Sequence, residues 1–360
     1  MQIQKTIRAK IIGLTKTKEK LISEEYKNFQ LALKGIDVNL YSATKQQALR
    51  YGRKFKNHKE YPLIIRRDVF KIERQNTKLS KYWVKIPCYG RRGGVWVAVK
   101  FSPTQEELLN CSIRESKLIR RNDKWFLFIT IQKEVEIKKS YSSILGTDFG
   151  MKWVATVCDI SNLKPMFYGK ELRRIRGHYF YLRRKLAKKK IRGFYKWINN
   201  NKEKRVVNDL LHKISRDIVN KAKETNSLIA FGELKGIRKQ NKGRRFNRRL
   251  NSFPYHKLAQ YIRYKANEQG ILVLEIPESY TSQLCWKCGN RGIRKNGLFK
   301  CECGLKDNSD RNGAINIAKR ALEYISKVGV DVTLPETEAV NIKIPTSNAV
   351  SDLRSLGIYS

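Results

Sequence analysis

Four cysteines stand in two short pairs, Cys285-x2-Cys288 and Cys301-x-Cys303, directly before the stretch Asn308-Ser309-Asp310-Arg311-Asn312-Gly313-Ala314. Zinc in structural sites takes a tetrahedral set of thiolates, and each short pair can form one half of it. C-x2-C is a common knuckle; C-x-C makes the second half tighter. Because all four ligand positions are cysteine, no position stays open for substrate, so such a metal is structural. Free thiols and an iron–sulfur cluster are the alternatives. Gly292, Gly297 and the apolar Leu298-Phe299 between the pairs suit a ribbon hairpin. Lys287 and Arg291 could touch nucleic acid, and Trp286 could either do so or pack inward.

Three acids are the second chemical feature. Asp148 ends a short apolar run, Glu233 follows another, and Asp310 precedes a helical pattern. Each alone is weak evidence, since a lone acid at a strand end is more often a turn or cap residue. Asp148-Phe149-Gly150 also resembles a kinase tripeptide, but no Gly-rich phosphate loop or His-Arg-Asp stretch accompanies it. As a set they say more. In an RNase H-like sheet the first and fourth strands lie side by side, and acids at their ends face a third from the last helix. Three converging carboxylates can hold two Mg²⁺ ions a few ångströms apart, one activating water and one stabilising the leaving oxygen of a phosphodiester. The histidines, His58, His178, His212 and His256, are scattered and offer no competing catalytic cluster.

The elements that must position these residues follow from apolar periodicity. Residues 2–14 read as a strand, and 16–34 and 42–56 as helices. Two hairpin signals follow: 82–86 with 95–99 across a Gly-rich turn, and 113–119 with 125–129 across Arg121-Asn122-Asp123. Residues 1–138 are therefore expected to form an antiparallel β-barrel or sandwich, with a helical insertion at about 15–61. From 143 the pattern changes. Strands are expected at 144–148, 153–158 and 165–168, then basic helices at 170–189 and 194–223. A buried strand at 228–231, a helix at 255–269, a strand at 271–276 and a helix at 311–326 complete the order. Three strands followed by alternating helices and strands is the order of an α/β RNase H-like fold. It is split here into 139–280 and 304–327 by the cysteine segment 281–303.

Charge narrows the partners. Lys plus Arg number 76 against 32 Asp plus Glu, a net +44 over 360 residues. Such self-repulsion is relieved by a polyanion, and nucleic acid is the obvious one. Two segments carry the excess. Residues 170–192 contain Arg173, Arg174, Arg176, Arg183, Arg184, Lys185 and Lys188 with aromatic residues among them. Residues 235–249 hold eight basic residues, including Arg244, Arg245, Arg248 and Arg249, and no acid. Their Gly and Asn content predicts a flexible loop. From 328 the chain turns net acidic, and 328–360 is expected to be a disordered, dispensable tail. No run of about 18 apolar residues is present, so no membrane span is expected, and the N-terminus lacks a signal-peptide centre. Seven cysteines, four of them clustered, argue against a disulfide framework and for a reducing compartment. Cys88, Cys111 and Cys158 read as core residues.

These motifs resemble those of the OrfB/TnpB family of insertion-sequence proteins, compact relatives of type V CRISPR nucleases. The matching residues are Gly146-Thr147-Asp148-Phe149-Gly150, Phe231-Gly232-Glu233-Leu234, Tyr280-Thr281-Ser282-Gln283 leading to the cysteine pairs, Asp310-Arg311-Asn312-Gly313-Ala314 and Asn316-Ile317-Ala318. The motif-bearing match covers about 143–321; residues 1–138 match only in architecture, a wedge-like barrel with a helical recognition insert. The resemblance implies an RNA-guided DNA endonuclease with a RuvC-like site, formerly described as a transposase. Asp148, Glu233 and Asp310 would be its Mg²⁺ ligands, and Cys285, Cys288, Cys301 and Cys303 would bind Zn²⁺. It further implies a noncoding guide RNA and double-stranded target DNA as partners, with a duplex motif beside the target read by the N-terminal half. Cytoplasmic, nucleoid-associated localisation follows from these partners. Two departures remove no ligand: Cys-x-Cys replaces the commoner Cys-x2-Cys, and Asn-Ser-Asp stands where many members have Asp-Arg-Asp. A DNA-only transposase or resolvase using the same acids, and a nucleic-acid binder that does not cut, stay open as alternatives.

Overall fold

The computed structural model describes residues 1–52, 60–191, 193, 202–233, 243–277 and 281–334. The chain divides into two compact units, Met1–Glu134 and Val135–Ser360.

In the first unit, β1 (Gln2–Ile12) is followed by helices α1 (Lys16–Leu33) and α2 (Ser42–Gly52). Strands β2 (Leu63–Ile65), β3 (Lys71–Arg74), β4 (Tyr82–Ile86) and β5 (Val95–Lys100) come next, then a short helix α3 (Pro103–Glu106). Strands β6 (Ser112–Arg121) and β7 (Lys124–Glu134) complete it. Alternation makes the sheet two-faced: Ile7, Ala9 and Ile11 are buried while Thr6, Arg8 and Lys10 face out. Trp125, Leu127, Ile129 and Ile131 do the same on β7. The inward face packs on Ile22, Tyr26, Phe29 and Leu33 of α1, whose spacing lines one side of a helix. Both expected hairpins form, and all seven strands pair antiparallel in the order β2-β6-β7-β1-β5-β4-β3. The expected barrel is instead an open, curled sheet, since among the described residues no ladder joins β2 to β3. These end strands are only three and four residues long, too short to carry the staggered pairing that closure requires.

The second unit opens with β8 (Ser140–Tyr141), β9 (Ser143–Asp148), β10 (Ala155–Asp159) and β11 (Pro165–Tyr168). Helices α4 (Glu171–Lys188) and α5 (Lys202–Glu224) precede β12 (Ser227–Gly232). Helices α6 (Arg244–Ser252) and α7 (Tyr255–Glu268) precede β13 (Val273–Ile276). A small antiparallel sheet of β14 (Ile293–Lys295), β15 (Leu298–Lys300) and β16 (Lys306–Asn308) leads into α8 (Ser309–Val328) and β17 (Asp331–Val332). The main sheet runs β11-β10-β9-β12-β13, with β9, β12 and β13 parallel and β10 and β11 antiparallel. Strand β12 is buried throughout, as a parallel strand covered on both faces must be. Leu145, Ile229 and Phe231 turn toward α5 and α7. Ile144, Leu228 and Ala230 turn toward α8. Cys88 and Cys158 are buried as expected, and burial pushes their thiols up to about 12.

Three further expectations differ from the structure. The loop expected at 235–249 is partly helix α6; residues 234–242 lie outside the described set. Phe246, Leu250 and Phe253 recur at i, i+4 and i+7 and pack into the core, and arginine is a good helix former. Asp310 lies not before the last helix but inside its first turn, because Asn308 caps it by accepting from the N–H groups of Asp310 and Arg311 at 2.9 and 3.3 Å. The start of the expected tail is ordered: Val330, Val332 and Leu334 pack on the core, and β17 pairs parallel with β8. Residues 335–360 lie outside the described set.

Candidate functional site

The sheet itself brings two of the acids to one edge. In the β9–β12 ladder Thr147 lies opposite Phe231, so Asp148 and Glu233 emerge at the same end. Both are half-buried, and the N–H of Glu233 donates to the carbonyl of Ile276 at 2.8 Å. Helix α8 then crosses β9 at backbone distance. A Cβ on Gly146 would stand 2.1 Å from the carbonyl oxygen of Ala314, and one on Gly313 would stand 2.9 Å from Oδ2 of Asp148. Glycine at both positions is what lets the helix lie on the strand. That contact carries the first turn, with Asp310 only 7% exposed, to the sheet end where Asp148 sits.

A cleft of about 690 Å³ opens there, lined by Asp148 and Asp310 together with Arg173, Arg176, Arg183, Arg248 and Arg294. Glu233 is not among its lining residues. Arg294 of β14 donates to Oδ1 of Asp310 at 2.8 Å. Arg176 and Arg183 converge on Glu203 of α5, at 2.8 and 2.5 Å. Burial pushes the Glu203 carboxyl up, but the two guanidiniums more than offset this and hold it below its ordinary range. Arg248 stacks over the ring of Phe180 at 4.0 Å. Burial, with the charge of Asp148 adding to it, pushes the Tyr255 phenol well up.

Of the arginines expected to contact nucleic acid, Arg173, Arg183 and Arg248 line the cleft. Arg174, Arg184, Lys185 and Lys188 are exposed elsewhere on α4, and the side chains of Arg244, Arg245 and Arg249 lie outside the described set. Arg294 and Glu203 were not singled out from sequence, and Arg176 only as one of the basic residues of 170–192. For Arg176 a signal existed: Arg173, Arg176, Phe180 and Arg183 are spaced three and four apart, one face of a helix.

The four cysteines meet as expected. Their sulfur atoms all lie within 4.8 Å of one another, with Cys285–Cys303 at 3.7 Å and Cys288–Cys301 at 3.4 Å. Tetrahedral thiolates about 2.3 Å from a zinc ion would be separated by about 3.8 Å, so this set could hold a metal ion. Burial pushes Cys285 up to about 12, while the backbone N–H of Leu305 brings the exposed Cys303 down to about 7. Among the described residues the three carboxylates do not form a comparably tight group. Trp286 packs inward, 6% exposed, with its Nε1 donating to Asp307 at 2.9 Å and the cations of Arg311 and Lys319 each 5.7 Å from its ring.

Residues 255–317 match the family model "Cas12f1-like, TNB domain". The chain is 29% identical over 305 residues to the CRISPR-associated endodeoxyribonuclease Cas12f2 of Micrarchaeota archaeon (strain CG1_02_47_40), a match spanning 72% of this chain and 56% of that protein. It is 26% identical to the TnpB-like protein aq_aa05 of Aquifex aeolicus (strain VF5), over 64% of this chain and 88% of that protein. A solved Cas12f1–sgRNA–target DNA complex shares the fold at a TM-score of 0.57 and 16% identity, covering 88% of this chain and 99% of that one. Residues 255–317 are thus similar to a Cas12f1-like TNB domain, and the chain is similar in sequence to TnpB-like proteins and to Cas12f endodeoxyribonucleases, spanning little more than half the length of the Cas12f2 protein it matches. Among the described residues no helix is long and apolar enough to cross a membrane.

Proposed function

We propose that this chain is an RNA-guided, Mg²⁺-dependent DNA endonuclease whose second unit is a RuvC-like domain of RNase H-like fold carrying an inserted zinc ribbon. The observation that carries the reading is the meeting of Asp148 and Asp310 in one arginine-lined cleft at the end of β9. Strand order and sense support it: three antiparallel-connected strands come first, and the fourth adds parallel beside the first. Asp148, Glu233 and Asp310 would hold Mg²⁺, which supplies charge neutralisation and an activated water when bound. Arg173, Arg176 and Arg248 would take the phosphates of the strand to be cut, and Cys285, Cys288, Cys301 and Cys303 would hold a structural Zn²⁺. The relatives named above are called endodeoxyribonucleases or TnpB-like, and the solved neighbour is a complex with guide RNA and target DNA. Carried to this chain, guide RNA and double-stranded DNA are its partners. Base pairing then reads sequence while the basic surface holds the backbone. The first unit serves as the wedge-like module, and the protein works in the cytoplasm at the nucleoid.

The test is reconstitution. RNA copurifying from cells that carry the chain with its flanking DNA is sequenced, then supplied with matching duplex DNA and Mg²⁺. Asp148→Ala is expected to lose on the order of 10³-fold in cleavage rate while holding RNA and DNA as tightly as the parent. Cleavage that needs no RNA would refute guidance, and cleavage that survives Asp148→Ala would refute the site.

A further inference from the structure

Three polar side chains that this chemistry does not use are buried in a row on α8. Asn312, Asn316 and Lys319 recur at i, i+4 and i+7, so they share one face of the helix, and they are 0%, 1% and 4% exposed. Polar groups are buried at a cost unless they find partners. Here the partners are main-chain groups at the entry to the first cysteine pair. Asn312 accepts from the N–H of Trp286 at 3.1 Å and donates to the carbonyl of Leu284 at 2.8 Å, bracketing Cys285 from both sides. Asn316 donates to the carbonyls of Leu284 and Thr281 at 2.7 and 2.8 Å. Lys319 donates to the carbonyl of Trp286 at 2.5 Å.

Two properties of this row go beyond packing. Its first rung, Asn312, stands in the turn next to Asp310, so whatever registers the row against the knuckle also registers the carboxylate. Its last rung is a cation buried without an acid: among the described residues no carboxylate pairs with Lys319, and its Nζ sits on the carbonyl of Trp286, the residue next to Cys285. Four thiolates outweigh one divalent ion, so an occupied cysteine site carries net negative charge. A buried cation beside it would stabilise the loaded form.

We propose that Asn312, Asn316 and Lys319 are positioning residues. They form a ladder that makes the placement of Asp310 depend on metal occupancy at the four cysteines, with Lys319 as the countercharge of the metal–thiolate cluster. This rests on the metal and active-site readings above. Outer-shell partners of metal ligands typically contribute 10- to 100-fold in metal affinity.

The experiment uses the full chain and cobalt(II), whose thiolate absorption bands report tetrahedral sulfur coordination. Affinity is measured by competition with a chromophoric chelator. Lys319→Met and Asn316→Ala are expected to bind cobalt about 10- to 100-fold more weakly, and Lys319→Arg to stay within about threefold of the parent, since it keeps the charge. Cleavage by Lys319→Met at fixed Mg²⁺ should track the fraction of cysteine sites filled and return at saturating zinc. Unchanged cobalt affinity in both weakened variants, with circular dichroism showing them folded, would overturn the ladder. A cleavage rate that ignores occupancy would overturn its link to Asp310. If Lys319→Met does not fold, Asn316→Ala carries the same comparison. Asp310→Asn separates the two readings: parental cleavage in that variant would sink the active-site assignment while leaving the cobalt result standing.

Discussion

The sheet of the first unit and the cysteine segment, residues 281–308, are ordered by opposite means. The sheet buries Ile7, Leu63, Ile86, Leu118, Leu127 and Ile129 completely, so removal of apolar surface from water is its main support. The cysteine segment buries Phe299 and Trp286 but leaves Ile293 at 74% and Leu298 at 43% exposure. So small an apolar interior cannot offset the conformational entropy of ordering its chain. Beyond a ladder of three-residue strands, its chief supports are four sulfurs in mutual reach and the main-chain bonds that Asn312, Asn316 and Lys319 make to it. One region is held by a pattern repeated along many residues, the other by a few atoms, each of which matters.

Removing the metal should break this contrast most sharply. Metal binding in such segments is folding energy, on the order of 10 kcal/mol for structural zinc sites. After chelation the amides of Gly289, Gly292 and Gly304 should exchange like an unfolded chain while those of β1 and β7 stay protected. Unchanged protection with zinc shown to be gone would refute this. Leu127→Ala is the converse: it should cost the first unit about 3 kcal/mol in denaturant unfolding and leave cobalt affinity untouched. A shift in that affinity would mean the two regions are not independent. Gly146→Ala tests a third mode of attachment, backbone on backbone. The added methyl meets the carbonyl of Ala314, so about 2 kcal/mol of stability and much of the cleavage should go together; loss of either alone would separate helix placement from catalysis.

The last effect is a slope. Lys265 is 7% exposed and donates to the carbonyl of His212 and to Ser215 Oγ. Burial pulls it from 10.5 to about 8. Between those values the unfolded chain binds the extra proton, so stability should rise as pH climbs from about 8 to 10.5. Melting curves across that range should show the rise in the parent, and Lys265→Met should flatten it.

The same contrast explains what could be read from the sequence. Alternation at 82–86 and 95–99 gave the hairpin, and the apolar runs ending at Asp148 and before Glu233 gave two neighbouring strands, because burial writes a periodic signal. The cysteine spacing was legible because metal geometry admits few arrangements. Helix α6 was mistaken for a loop because its charge masked Phe246, Leu250 and Phe253. Val330 and Val332 were lost in an acidic segment. Asn312, Asn316 and Lys319 were matched as motif letters or passed over, since polar side chains on a helix ordinarily face water; only their partners show otherwise. Arg294 reaches Asp310 through a hairpin whose register no local pattern reveals.

A strand edge is an invitation to another chain. At one end of the first unit's sheet β2 is only three residues long and buried, so its edge is covered; at the other, β3 reads Lys-Ile-Glu-Arg with its three charged side chains exposed. Short and charged edges discourage strand addition. At low salt the net charge of +44 already keeps copies apart. In high salt that repulsion is screened, and protection against self-association falls to those few edge residues.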